Sequence, residues 1–358
     1  MKNKNKILII AEVGVNHNGS FANIKKLIKG AKKADADFVK FQNWTADKLV
    51  TDNAKMAPYQ IKNTKFKKSQ IEMLKPLELK KTIYPKIIKE TKKNKIQFLS
   101  SPFDEESYLF LKNKLNQKVI KIPSGEINNY LMLSKVNIQK DKLFISTGMA
   151  NLHEISQTLN FLAKDKIYKF SKGKFNIKKN KNFNILKKNI ILMHCVTDYP
   201  VQDNFANLES IKTLKETFQL TIGYSDHTLG IEAPLIAVSL GAKLIEKHIT
   251  LNNNMKGPDH KASLNLVDFL KMVRSIRKYE KMIGTGVKNL QKCEKENLKI
   301  ARKSLIANTK ISKNEKFTEK NLTVKRPATG VSSKYYFEYI GKKSKYNYKF
   351  NDLIKFQK

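Results

Sequence analysis

The chain has 358 residues, 41% of them hydrophobic, and a formal net charge of +39, enough for one large domain or for a large and a small one. No apolar run approaches the ~20 residues that a helix needs to cross a bilayer, so a helical membrane span is excluded. Only Arg274, Arg277, Arg302 and Arg326 among the 70 basic residues are arginine, and the lysines are scattered over nearly every predicted element, so the charge reads as a composition bias that attracts anionic ligands rather than as a nucleic-acid site, which would use arginine forks and stacked aromatics.

In chain order, "MKNKNKILIIAEVG" starts basic and then apolar, but the patch meets Glu12 at once and lacks a small-residue cleavage site. It reads as a first strand rather than a secretory leader. Seven further runs of strand length follow: "DFVKFQN", "IQFLSSP", "KVIKIPSG", "LFISTGM", "IILMHCVT", "LTIGYSD" and "KLIEKHIT". Between them "FANIKKLIKGAKKA", "LELKKTIYPKIIKE", "NLHEISQTLNFLAK" and "NLESIKTLKETF" repeat apolar residues at helical spacing, with Pro85 expected to kink the second. "EAPLIAVSLGA" is apolar on most faces and is expected to be a buried helix. Eight strands alternating with helices predict a (β/α)8 barrel over residues 1–284, with a doubly wound open sheet as the alternative. Residues 45–75 are too long for a simple connection, and the lysine-rich tract 166–188 is expected to be a solvated loop or hairpin without chemistry. Residues 285–300 read as a polar linker, and 301–358 ("KSLIANTKI", "LTVKRPATG", "LIKFQK") as a small, mostly β domain. Cys195 and Cys293 are far apart in sequence, which argues for a reducing, cytoplasmic setting without a disulfide framework.

In such a barrel the active site forms at the carboxyl ends of the strands, and residues two apart on a strand share a face. That rule puts Leu8, Ile10 and Glu12 on one face, Phe38, Lys40 and Gln42 on another, and Lys121 just before Pro123, Ser124, Gly125 and Glu126. Ser146, Thr197, Tyr199 and Ser225 stand at or past the ends of later strands. Two inward lysines among serines and glycine turns suit a phosphate or carboxylate, unless each lysine instead snorkels outward. His227 and His248 end neighbouring strands on the same inferred face, so they can share a metal completed by water, of the manganese or magnesium kind, or simply bond within the barrel rim. Asp259, in "KGPDHKAS", can meet a polyhydroxylated substrate or cap the next helix. His17, His194 and His260 can contact a ligand or order loops, and His153 is expected at the surface.

Taken together, "AEVGVNHNGS", "VKFQNWTADKLV", "YQIKNT", "FLSSPFDEES", "KIPSGE", "STGMA", "HCVTDYP", "GYSDHTLG", "IEKHITL", "GPDHKAS", "ARKS" and "VKRPATG" resemble the sialic acid synthase family. The resemblance covers nearly the whole chain. It implies a (β/α)8 barrel followed by an antifreeze-like (SAF) domain and the condensation of phosphoenolpyruvate with an N-acetylated amino sugar. The main expectation is N-acetylneuraminate synthase acting on N-acetylmannosamine; the alternative is N,N'-diacetyllegionaminate synthase acting on 2,4-diacetamido-2,4,6-trideoxymannose. It further implies phosphoenolpyruvate contacts from Lys40, Lys121, Ser124, Ser146, Thr197, Tyr199 and Ser225, and sugar contacts from Gln42, Asp259 and Arg326. Glu12, Glu126, His227 and His248 match catalytic positions, the two histidines holding manganese or, less characteristically, magnesium or cobalt. A domain-swapped homodimer is implied, with Arg326 reaching the partner's sugar site; no nucleic acid or membrane partner is. Thr197 and Asp198, and Ala328 and Thr329 after Arg326, depart from common family motifs and put a minor phosphate contact and the arginine loop in question. A different phosphoenolpyruvate-dependent aldol synthase and a binding-only carbohydrate protein are the competing classes.

Overall fold

In a computed structural model, residues 6–65 and 69–356 are described. The basic start, part of the 45–75 insertion and the last two residues of "LIKFQK" lie outside them. The chain divides into two compact units, Met1–Ile283 and Gly284–Lys358.

The first unit holds all eight expected strands: β1 (Leu8–Gly14), β2 (Phe38–Asn43), β3 (Gln97–Pro102), β4 (Val119–Ile122), β5 (Lys142–Ser146), β6 (Ile190–His194), β7 (Thr221–Asp226) and β8 (Leu244–Thr250). They form one parallel sheet in the order β3-β2-β1-β8-β7-β6-β5-β4. β3 packs beside β4 without a ladder between them, so the ring is nearly closed and the open-sheet alternative fails. The side-chain period of two divides every strand. Ile9, Ala11 and Val13 face outward onto Ile24, Leu27 and Ile28 of the helix Phe21–Lys33. Inside, Ile10, Phe38, Leu99, Phe144, Met193 and Leu244 plug the barrel. One step further toward the carboxyl ends the inward positions turn polar, because the same alternation now presents Glu12, Lys40, Ser101, Lys121, Ser225 and Glu246.

Several local expectations change. Pro85 does not kink a helix: a 3-10 turn, Lys81–Ile83, precedes it, and it sits in the first turn of Tyr84–Lys93, where its missing N–H costs nothing. The helix Glu232–Ser239 buries Ala233, Pro234, Ala237 and Val238 but leaves Ile236 48% exposed, so it is packed on one side only. The 45–75 insertion folds into short helices, Ala46–Leu49, Pro58–Thr64 and Gln70–Leu74, with a small core of Val15, Trp44, Ala46, Met56 and Ile71. The lysine-rich tract contains a hairpin, Tyr168–Ser171 with Lys174–Ile177, and then the helix Lys181–Asn189. The ring of exposed His153 packs against Phe170 and Phe175 of that hairpin, at 4.6 and 5.2 Å between centroids.

The second unit has its own core of Leu305, Ile311, Phe317, Leu322, Val331, Tyr348 and Ile354. Its regular β content is thin: Ser304–Ala307 pairs antiparallel with Leu322–Lys325, and the expected last strand is reduced to a single bridge, Ile306 to Leu353. The helix Lys295–Ala301 occupies part of the segment that composition marks as a linker.

Candidate active site

The mouth of the barrel opens into a cavity of about 300 Å³. Its floor is the polar layer above the plug. Lys40 and Lys121 are buried, so neither snorkels outward. Nor are they unpaired, as an isolated anion site would leave them. Lys40 Nζ lies 3.2 Å from Glu12 Oε2 and 3.5 Å from Glu246 Oε1, and donates to Ser101 Oγ at 3.1 Å. Lys121 Nζ lies 3.1 Å from Glu246 Oε1, which also accepts from Ser225 Oγ at 2.9 Å.

Burial and charge pull these groups apart. Burial dominates Glu12 and holds its carboxyl up at about 7 despite Lys40. Burial also pushes Glu246 upward, but the Lys121 and Lys40 ammoniums together outweigh it and hold that carboxyl below its ordinary value. Burial presses on Lys40, yet Glu12 and Glu246 carry it above the normal range, whereas burial lowers Lys121 even with Glu246 beside it. Two lysines thus face one firmly ionised carboxylate and one that is readily protonated. Such a layer can exchange its internal carboxylate contacts for an incoming anion.

Around it stand hydroxyls without partners. Ser146 Oγ and Thr197 Oγ1 are buried and make no hydrogen bond among the described residues. Ser124 Oγ accepts from Gly148 N at 3.2 Å and lies 3.0 Å from Cys195 Sγ. Gly148 is required here: a Cβ would come within 2.4 Å of Thr197 Oγ1 and 2.8 Å of Ser124 Oγ, so any side chain would push the hydroxyls apart.

Above the floor the rings of His227 and His248 lie 5.6 Å apart, with Tyr199 4.1 Å from His227 and 5.6 Å from His248. His227 Nδ1–H donates to the Val196 carbonyl at 2.6 Å, which leaves Nε2 as the lone-pair nitrogen. Burial holds both imidazoles neutral, His227 down at about 4 and His248 well below its ordinary value. Nδ1 of His248 is buried with no hydrogen-bond partner among the described residues, and Asp259 Oδ2 stands 3.9 Å away. Neutral imidazoles, one with its tautomer set by a carbonyl, are the donor set a divalent transition metal takes. No group of three or more His, Cys, Asp or Glu arranged to hold a metal occurs among the described residues, so water or substrate would have to supply the remaining positions.

The turn carrying His227 is held from behind. Asp226 accepts from Tyr224 Oη at 3.0 Å, Thr228 N at 2.9 Å and Thr228 Oγ1 at 2.8 Å, and its other oxygen takes Lys247 Nζ at 2.5 Å; both Asp226 and Lys247 are buried on the outer face of the barrel. The far wall of the cavity comes from residues 49–60 and 70–77. Asn63 Nδ2 donates to the Tyr199 carbonyl at 3.1 Å and the Pro258 carbonyl at 2.7 Å, and Tyr59 packs on Tyr199 at 4.9 Å.

Of the residues singled out in the sequence, Glu12, Lys40, Gln42, Lys121, Ser124, Ser146, Thr197, Tyr199, Ser225, His227, His248 and Asp259 all line this one cavity. Asp259 opens the 3-10 turn His260–Ala262 without a side-chain cap, and burial raises its carboxyl to about 7. Glu126 does not line the cavity: its carboxylate accepts from Asn129 Nδ2 at 2.6 Å beside it. Arg326 lies exposed in the second unit. His17, His194 and His260 order loops: His17 Nδ1 accepts from Gly19 N at 2.9 Å, His194 Nε2 donates to the Ala206 carbonyl at 2.9 Å, and His260 bonds to Thr250 and Asn18. Glu246 and Ser101 were not assigned roles from sequence; the period of two along β8 and β3 is the signal that could have found both. The Asp226–Lys247 pair and the Tyr59 wall had no such signal.

A family model described as NeuB matches residues 27–288. The N,N'-diacetyllegionaminic acid synthase of Campylobacter jejuni is 46% identical over 98% of this chain and 99% of that relative. The protein of the same name from Legionella pneumophila is 38% identical over 90% of this chain and 86% of its own. Among solved structures, a crystal structure described as N-acetylneuraminic acid (sialic acid) synthetase from Leptospira borgpetersenii, in complex with citrate, superposes with a TM-score of 0.66 at 29% identity, covering 82% of this chain and 90% of that one.

Proposed function

This chain belongs to the NeuB family, and on that premise we propose that it condenses phosphoenolpyruvate with an N-acetylated amino sugar, releasing phosphate and forming a nine-carbon sugar acid. The observation that carries the reading is the union, in one cavity, of two buried lysines ringed by serines and two neutral imidazoles. The main expectation from the sequence is N-acetylmannosamine as acceptor, but two relatives at 46% and 38% identity bear the name N,N'-diacetyllegionaminic acid synthase. We therefore assign the acceptor as 2,4-diacetamido-2,4,6-trideoxymannose and the product as N,N'-diacetyllegionaminate.

In this scheme Lys40 and Lys121, with Ser124, Ser146, Thr197 and Ser225, hold the phosphate and carboxylate of phosphoenolpyruvate, the anion displacing Glu246 from Lys121. The His227 and His248 imidazoles would hold a divalent cation, manganese rather than magnesium because nitrogen donors suit it better, which when bound supplies Lewis-acid polarisation of the acceptor aldehyde. Phosphoenolpyruvate C3 attacks that aldehyde carbon, water adds at C2, and the C–O bond to phosphate breaks. Glu12, poised near neutrality, holds or passes a proton beside Lys40, while Gln42 and Asp259 bind sugar hydroxyls. Glu126, beside the cavity, would act on water only if its loop moved inward. The resemblance supports two further assignments: the second unit is an antifreeze-like domain, and Arg326 serves the sugar site of a partner in a domain-swapped homodimer.

The test offers phosphoenolpyruvate and Mn2+ with both sugars in one reaction and reads product mass. The diacetamido product is expected to dominate; dominance of N-acetylneuraminate would return the acceptor to N-acetylmannosamine.

A further inference from the structure

The cavity is chemically divided. Its charged side chains come from the strands and from Asp259 in the loop after β8, whereas the wall built by the segment after β2 presents Trp44, Leu49, Val50, Met73, Leu74 and Leu77, with no charged side chain of that segment lining the cavity among the described residues. This is a built surface, because Val15, Ala46, Met56 and Ile71 pack in the same small core. Its polar groups are the Tyr59 phenol, the Trp44 indole N–H and two amides: Gln70 Nε2 donates to Gln60 Oε1 at 3.4 Å, and Gln60 Oε1 also accepts from Ala57 N at 2.9 Å, which fixes the amide pair in the lining.

The proposed reaction pins the acceptor's aldehyde carbon at the floor, beside Lys40, Lys121 and the histidines. The other end of the open chain then extends toward the mouth, past this wall. A hydroxymethyl tail laid on Leu49, Val50 and Leu77 would lose water without gaining a hydrogen bond, whereas a methyl group there gains by burial. The geometry points to this wall as the specificity subsite: Leu49, Val50 and Leu77 take the methyl group of a 6-deoxy sugar, and Gln60 and Gln70 face its distal acetamido group. This rests on the proposed condensation and deepens it by naming the residues that choose the acceptor.

The test measures kcat/KM for two acceptors that differ only at C6, 2,4-diacetamido-2,4,6-trideoxymannose and its 6-hydroxy counterpart. Wild type is expected to prefer the deoxy sugar about 10- to 100-fold, the range by which an apolar pocket discriminates against an added hydroxyl. Val50→Thr, which replaces a methyl group with a hydroxyl of similar size, and Leu77→Gln should each compress that ratio by about threefold or more. Both side chains are half-buried, and a ratio within one preparation is insensitive to the fraction folded. An unchanged ratio in both variants overturns the subsite. Turnover of both sugars with no wild-type preference overturns it as well, while leaving the condensation standing. Failure of wild type to release phosphate with either sugar removes the proposed function, and this inference with it.

Discussion

Lys121 has a single carboxylate partner, Glu246, while Lys40 has two. It is thus the cation best placed to change partners when an anion enters, and Lys121→Met should lower kcat/KM for phosphoenolpyruvate by about 100-fold, read as phosphate release. Gly148→Ala, which drives a Cβ into Thr197 and Ser124, should raise KM for phosphoenolpyruvate with a smaller effect on stability. His227→Ala and His248→Ala should each abolish metal-dependent turnover; wild-type rates from either in chelator-treated buffer would contradict the metal assignment. His17 tests the electrostatics away from the chemistry. Burial, and then His260, lower its imidazole to about 4, so between pH 6.5 and 4 the unfolded chain binds a proton that the native fold refuses. Its contribution to stability is complete above pH 6.5 and is lost as pH falls toward 4. The stability advantage of wild type over His17→Gln should therefore shrink by roughly 2 kcal/mol between pH 7 and pH 5; a constant gap in urea midpoints would contradict it. At this scale the sequence was legible wherever a strand supplied the period. Glu12, Lys40, Lys121, Ser225 and His248 follow from alternation alone, but the pairing of Lys40 with Glu12 and Glu246 needs the strands set side by side.

Elements differ in how much of their form is local. The eight strands are apolar runs bounded by turn residues, and all eight stand where the sequence puts them. Pro85 and Ile236 mislead because a first helical turn tolerates proline and an apolar side chain can remain at a surface. The 45–75 insertion was legible only as an excess of length, since its helices are short and are held by a core shared with Val15 and Trp44. The helix Pro58–Thr64 is fastened to the mouth through Asn63, whose amide serves carbonyls at Tyr199 and Pro258. Asn63→Ala leaves those carbonyls without their donor and should destabilise the fold by about 1–3 kcal/mol. It should also raise KM for the acceptor more than KM for phosphoenolpyruvate, because the wall moves while the floor does not. Equal effects on both would place the segment's role in general stability.

For the molecule as a whole, the +39 charge and the barrel mouth make the same statement at two ranges. A diffuse lysine field would draw anions toward a cavity whose floor can exchange carboxylates for them. Since the field is diffuse, a duplex-binding assay at ~150 mM salt should show no sequence-specific complex. No helix among the described residues is long and apolar enough to cross a membrane. The mostly β expectation for the second unit came from short apolar runs, of which two pair as a two-stranded sheet and the last makes a single bridge, while turns close the rest of the core around Phe317 and Tyr348. Everything proposed for the cavity depends on its joining phosphoenolpyruvate to an amino sugar. The most direct measurement supplies the purified chain with phosphoenolpyruvate, Mn2+ and 2,4-diacetamido-2,4,6-trideoxymannose, and quantifies phosphate and product mass together. One phosphate is expected for each nine-carbon acid formed; phosphoenolpyruvate left intact, or turned to pyruvate without a sugar adduct, would overturn the proposed condensation.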